Sequence, residues 1–169
     1  FSETDLKLSY TAPLKSVELA GGVVQYLFPN TDVEQTREVF LSCGVPLDLD
    51  AVVITPAAEV VYDFDVVEGW YASAGLGAAV PVSDQLAVTL GYSMGWGSKK
   101  YNTYYFGPDK AALNDGNAAL AVEWTPLEGL TLTPGVQYIW LWDSEIRDAA
   151  DESESLYNDG GQWVVSLQA

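Results

Sequence analysis

Four glutamates, Glu18, Glu38, Glu59 and Glu123, and one lysine, Lys7, fall on the small, polar parity of segments whose alternate residues are largely apolar. Residues two apart on a strand share a face, so these side chains are expected to project from one side of a sheet. If that side lines a barrel that water enters, the excess of carboxylates sets a field that favours cations. The competing expectation is that the same groups are consumed by hydrogen bonds and ion pairs that plug a narrow barrel. These five residues are the pore-lining candidates, with an open and a plugged lumen left as alternatives.

A second acidic group lies in one connection, where DSEIRDAADESESLYNDGG carries Asp143, Glu145, Asp148, Asp151, Glu152, Glu154 and Asp159. Calcium accepts oxygen-only ligands, which makes Asp143, Glu145, Asp148 and Asp151 weak metal candidates, but their spacing matches no twelve-residue calcium loop. A solvated acidic surface is the alternative. The chain has no histidine, which removes Ser–His and Cys–His nucleophile pairs and any histidine-based metal site. A glycoside-cleaving pair of carboxylates needs a fixed separation that nothing here sets. No catalytic residue is identified, an enzyme is not expected, and no cofactor is implied.

The elements that would position these groups are strands. Gln85 to Gly97, QLAVTLGYSMGWG, places Leu86, Val88, Leu90, Tyr92, Met94 and Trp96 on one face and only Gln, Ala, Thr, Ser and Gly on the other. Such a segment is long enough to cross a bilayer at a tilt of about 45°. Further strands are expected near 5–10, 16–28, 36–45, 52–64, 69–80, 117–125, 130–142 and 162–168. No 3.6-residue period persists, so the fold class expected is all-β: an antiparallel up-and-down transmembrane β-barrel in a single domain over 1–169. No run approaches the ~20 apolar residues of a membrane helix, so any crossing is by strands.

Tight links, at Ala12 to Lys15, Pro46 to Asp50, Pro81 to Asp84 and Pro126 to Gly129, alternate with the connections Pro29 to Gln35, Asp65 to Glu68, Ser98 to Gly116 and Asp143 to Gly161. Outer-membrane barrels keep short turns on the periplasmic side and long loops outside, so the acidic loops are expected to face the exterior. The first strand then runs toward the periplasm, which calls for an earlier strand. That makes about ten strands, or about twelve with another hairpin, since bacterial barrels close on even numbers. Ala169 stands where a terminal aromatic is usual, and neither an initiator Met nor a basic, apolar leader is present, so a mature or partial product with incomplete ends is expected.

Carried through the chain, the apolar parity collects Leu6, Leu8, Tyr10, Val39, Leu41, Val60, Tyr62, Trp70, Leu76, Val88, Leu90, Leu120, Val122, Trp124, Leu132, Val136, Tyr138, Trp140, Trp163 and Val165. This is the expected lipid-facing band, with aromatics near strand ends as in an interfacial girdle. A soluble ligand-binding barrel would need the reverse, apolar inside and polar outside. Ile139 and Leu141 fall on the polar side, and Pro56 and Pro134 interrupt ladders; a bulge, an edge or a shifted register would account for each.

The charge of −17, from 24 acidic and 7 basic residues, leaves no basic patch for a phosphate backbone, so nucleic acid is not expected as a partner. Arg37, Lys99, Lys100, Lys110 and Arg147, near the outer end, could meet phosphates of membrane lipid or lipopolysaccharide, or simply pair locally. Tyr101, Tyr104, Tyr105 and Phe106 could stack on a ligand or sugar, or pack a loop on the rim. Cys43 is the one cysteine and reads as a small packing residue.

Leu8-Ser9-Tyr10, Tyr26-Leu27-Phe28-Pro29, Thr36-Arg37-Glu38-Val39-Phe40, Glu59-Val60-Val61-Tyr62-Asp63-Phe64-Asp65 and Gly69-Trp70-Tyr71 together resemble porin-like outer-membrane barrels of Gram-negative-type bacteria. Tyr62-Asp63-Phe64-Asp65 before Glu68-Gly69 is the most distinctive part. The resemblance implies a bacterial outer-membrane location and passive passage of small solutes or cations, with no transferable catalytic residue. Two other expectations stand beside it. One is a closed barrel presenting acidic loops to a homo-oligomer or envelope-complex partner. The other is a soluble secreted barrel holding a hydrophobic ligand.

Overall fold

A computed structural model describes residues 3–152 and 161–168. Ten strands form one antiparallel sheet: β1 (Thr4–Ala12), β2 (Glu18–Leu27), β3 (Thr36–Gly44), β4 (Leu47–Asp48), β5 (Val53–Asp63), β6 (Trp70–Ser83), β7 (Leu86–Gly97), β8 (Ala112–Leu127), β9 (Leu130–Leu141) and β10 (Gly161–Gln168). The order is a meander, each long strand beside its sequence neighbour, with β4 paired only to β5. All nine expected strands are present. A tenth, the two-residue β4, lies inside a link read as a turn.

The eight pairings from β1 to β10 are all antiparallel, so these two edge strands run in the same direction, and no pairing joins them among the described residues. A mostly-β meander is therefore what the chain forms.

Register carries the parity across strands, because directly opposed residues share a face. One row runs Leu8, Val23, Val39, Tyr62, Trp70 from β1 to β6. Another runs Ala78, Leu90, Leu120, Val136, Val165 from β6 to β10. Every residue assigned to the apolar band falls on this face. It is open to solvent: Leu8 is 79% and Val165 82% exposed.

The expectation of no helix is corrected twice. Helix α1 (Lys99–Phe106) and helix α2 (Ser144–Glu152) occupy the two longest connections. Each has about two turns, too short for a period to register, and each is set by its cap. Ser98 Oγ accepts the Tyr101 N–H, and Gly107 ends α1 at φ 99°. Asp143 Oδ1 accepts the N–H groups of Glu145 and Ile146. The one buried apolar cluster among the described residues lies here: Leu141, Ile146 and Ala150, with Phe106 and Ala112 against it.

That cluster explains Leu141, an apolar residue on the polar face because α2 covers it. Pro56 sits where the β3 ladder has ended at Gly44 and that of β4 begins at Leu47. Pro134 faces the β8 to β9 irregularity, between the pairs Ala121–Gly135 and Trp124–Leu132. Both prolines thus fall at ladder breaks, where a missing N–H costs least.

Candidate functional site

The polar face is lined by the first strands and overhung by α1. Glu18, Glu38 and Glu59 lie on β2, β3 and β5, and the register places Glu59 opposite Ser42 and Ser73. Two adjoining cavities, each of about 540 Å³, share Glu59. The one toward the tight turns is lined by Glu18 with Thr11, Ser42, Thr55, Ser73 and Ser93. The other, toward the long connections, is lined by Glu38 with Tyr26, Tyr71, Tyr101 and Tyr105. Walls drawn from β1 through β7 make this the concave side of the sheet.

Three of the four candidate glutamates are therefore brought onto one hollow surface. Tyr26 Oη donates to Glu38 Oε2 at 3.0 Å. Glu123 shares the face but stands at the tight-turn end of β8, opposite Ala87, and lines neither cavity. Lys7 lies with its Nζ 4.3 Å from the centroid of the Phe40 ring, a cation–π contact. Phe40 is a ring that parity places among small residues and that the register sets opposite Gly22.

Beyond β5 the long-connection end of the same face is spanned by bonded side chains, while mid-strand Gly75, Gly77, Gly91 and Ala119 border a further cavity of about 410 Å³ together with Asn117 and Gln137. Tyr71 Oη donates to Asp115 Oδ1 at 2.7 Å, Asn117 Nδ2 to Asp115 Oδ2 at 2.8 Å, and Gln137 Nε2 to Asn117 Oδ1 at 2.6 Å. The chain of side chains runs from β6 to β9 across β7, which has room because it presents glycine. A Cβ on Gly95 would fall on Tyr71 Oη and Asp115 Oδ1. Next to it, Asn102 Nδ2 donates to the carbonyls of Gly97 (3.1 Å) and Lys110 (2.9 Å), and Asn114 Nδ2 donates to Asn102 Oδ1 at 3.0 Å. A Cβ on Gly97 would fall on that Asn102 oxygen. This pair moors α1 over the sheet.

The distinctive Tyr62-Asp63-Phe64-Asp65 stretch builds a connection. Buried Asp63 accepts the N–H groups of Asp65, Val66 and Val67 on Oδ1, at 3.0, 3.0 and 3.1 Å, and the Thr36 hydroxyl on Oδ2. Tyr62 stacks on Trp70 with centroids 4.4 Å apart, on the apolar face.

Two of the metal candidates take other partners. Asp143 pairs with Lys110 at 2.9 Å while capping α2, and Glu145 reaches the same Lys110 at 3.1 Å. Burial alone would raise the Asp143 carboxyl, but the hydrogen bonds from Lys110, Ile146 and Glu145 outweigh it and hold it below the usual aspartate range. Those two carboxylates hold Lys110 above its ordinary value. Asp148 and Asp151 lie on α2. Among the described residues, no three metal-binding side chains gather; Glu154 and Asp159 lie outside those residues.

All five outer basic residues have protein partners. Arg37 meets Asp65 (3.5 Å), Lys99 meets Asp109 (2.8 Å), Lys100 meets Glu68 (2.6 Å), and Arg147 donates to the Leu141 carbonyl (3.4 Å). Each makes a local contact within the chain. The aromatic run divides: Phe106 packs on the buried cluster, whereas Tyr101 and Tyr105 wall the cavity beside Glu38. Burial first, then the charges of Glu38 and Asp63, push the Tyr105 phenol well above its ordinary value.

Asn102, Asn114, Asp115 and Tyr71 were not singled out from sequence. Leu113-Asn114-Asp115-Gly116 carries turn chemistry and reads as loop, whereas β8 begins at Ala112 and passes through a register shift there. The one available signal was Gly at 95 and 97, since glycine within a strand marks a bulge or a close approach. No family model matches this chain and no curated protein matches it, so function rests on the chemistry of these residues themselves.

Proposed function

We propose that this chain forms a porin-like β-barrel of the bacterial outer membrane that passes small solutes or cations along its acidic concave face. The observation that carries the reading is the apolar face: it continues across all nine long strands while remaining exposed, with Leu6, Leu41, Leu76, Leu90, Leu120, Trp163 and Leu167 among its large side chains. A continuous exposed apolar surface of this extent has a natural solvent in lipid. Tyr138, Trp140 and Trp163 cluster on that face beside the long-connection end, with ring centroids 4.8 to 5.8 Å apart, as an interfacial girdle would.

Because β1 and β10 run in the same direction, an all-antiparallel cylinder calls for an odd number of strands, one or three, between them. Its lumen would be lined by the face that bears Glu18, Glu38 and Glu59. The test is the full-length protein in a planar bilayer, with conductance and reversal potential recorded under a salt gradient. Cation-selective current that fades when the glutamates are changed to glutamine supports the reading; a folded, inserted and silent barrel sinks it.

A second reading is supported by the Tyr71, Asp115, Asn117 and Gln137 chain, which occupies the concave face from β6 to β9. A barrel filled in this way throughout would be a structural one that presents its acidic connections to a homo-oligomer or envelope-complex partner. Deleting residues 143–161 would then abolish partner binding and leave conductance at zero.

A further inference from the structure

The cavity beside Glu38 differs from its neighbour in having aromatic walls. Tyr71, Tyr101 and Tyr105 form a continuous surface, with centroids 5.2 Å apart between Tyr71 and Tyr101 and 4.6 Å between Tyr101 and Tyr105. Tyr26 and Phe28 line the cavity from β2 and its end, and Glu3, Glu38 and Glu59 supply carboxylates. None of the three has a basic partner among the described residues: Arg37 is engaged by Asp65 and Lys7 by the Phe40 ring. Of these carboxylate oxygens, only Oε2 of Glu38 takes a hydrogen bond among the described residues, from Tyr26.

Ring faces attract a cation through their quadrupole, and the gain is largest when the cation is weakly hydrated. A bare metal ion would have to give up strongly held water, and among the described residues no three metal-binding side chains gather to replace it. A neutral sugar would stack but gain nothing from the carboxylate charges. An ammonium with alkyl substituents uses both features, its carbon surface against the rings and its charge toward the carboxylates. The volume of about 540 Å³ lies in the range of small-molecule pockets and far exceeds a single metal ion.

We propose that the cavity walled by Tyr26, Tyr71, Tyr101 and Tyr105, with Glu38 and Glu59 on its acidic side, binds organic ammonium ions. This names the cation class for the passage proposed above and rests on that reading for its biological sense, but binding itself is measured without current.

The test is calorimetric titration of the folded full-length protein in a non-ionic detergent with choline and with its neutral isostere 3,3-dimethylbutan-1-ol. Saturable choline binding at least about tenfold tighter than the isostere is expected. Tyr105→Leu, which keeps bulk and removes the ring, and Glu38→Gln, which keeps shape and removes the charge, should each weaken choline by about tenfold. Tyr104→Leu, outside the cavity, should leave it unchanged. Absent choline binding, equal affinity for the isostere, or indifference to both Tyr105→Leu and Glu38→Gln would overturn the proposal. Because Glu38→Gln is isosteric, a folding defect in Tyr105→Leu does not blur the outcome. A silent bilayer alongside choline binding would sink passage and leave this site standing.

Discussion

The two halves of the concave face treat polar side chains in opposite ways. From β1 to β5, Glu18, Glu38 and Glu59 border open cavities. From β6 to β9, Tyr71, Asp115, Asn117 and Gln137 spend their polar groups on one another, and the Asn102–Asn114 pair moors a helix. The difference teaches that a small, polar face is not one environment. Where large polar side chains on alternate strands meet across glycine, their groups satisfy one another; where carboxylates face serine and threonine, they border open space.

The sharpest way to break the filled half is Gly97→Val. Its side chain would fall on Asn102 Oδ1 and within 2.8 Å of Asn114 Nδ2, so the mooring of α1 must separate. We expect a loss of about 3 kcal/mol in denaturant unfolding, from overpacking together with unpaired buried amides. Glu59→Gln, on the hollow side, should leave unfolding nearly unchanged, and comparable losses from both variants would erase the distinction.

Asp63→Ala tests the connection between β5 and β6, since three backbone N–H groups and the Thr36 hydroxyl lose their acceptor. A loss of roughly 2 kcal/mol is expected. Protection of the Asp65, Val66 and Val67 amides from hydrogen exchange should fall with it. Unchanged protection would contradict the assigned role.

Acidification gives a smaller, local effect in the filled half. Because the Asp143 carboxyl is held below its unfolded value, its contribution is fully present above the unfolded pKa of about 3.9 and is lost as pH falls through the folded value. Hydrogen exchange of α2 should therefore accelerate only below the usual aspartate range, and Lys110→Met should move that onset upward. An onset unmoved by the substitution would contradict the Lys110–Asp143 account.

Parity was legible because a one-residue slip would send every apolar side chain to the wrong face, so the pattern must be written into each strand. The apolar band from Leu6 to Val165 and the polar placement of Glu18, Glu38, Glu59 and Glu123 follow from it. The division of that face into hollow and filled halves was not legible. It depends on which strands lie side by side, and therefore on Tyr71 reaching Asp115 over Gly95, a contact 44 residues apart in sequence. The helices were missed because a two-turn segment is decided by Ser98 and Asp143 at its cap and not by its own period. Glu123 was grouped with the other three because parity places a residue on a face and says nothing of its distance from a cavity.

The measurement that bears most directly on the hollow half is the reversal potential of the reconstituted full-length protein under a salt gradient, for the wild type, for Glu123→Gln and for the combined Glu18→Gln, Glu38→Gln, Glu59→Gln variant. The account predicts cation-selective current that persists in Glu123→Gln and loses most of its selectivity in the triple variant. Selectivity unchanged in the triple variant, or no current from a folded and inserted barrel, would contradict it.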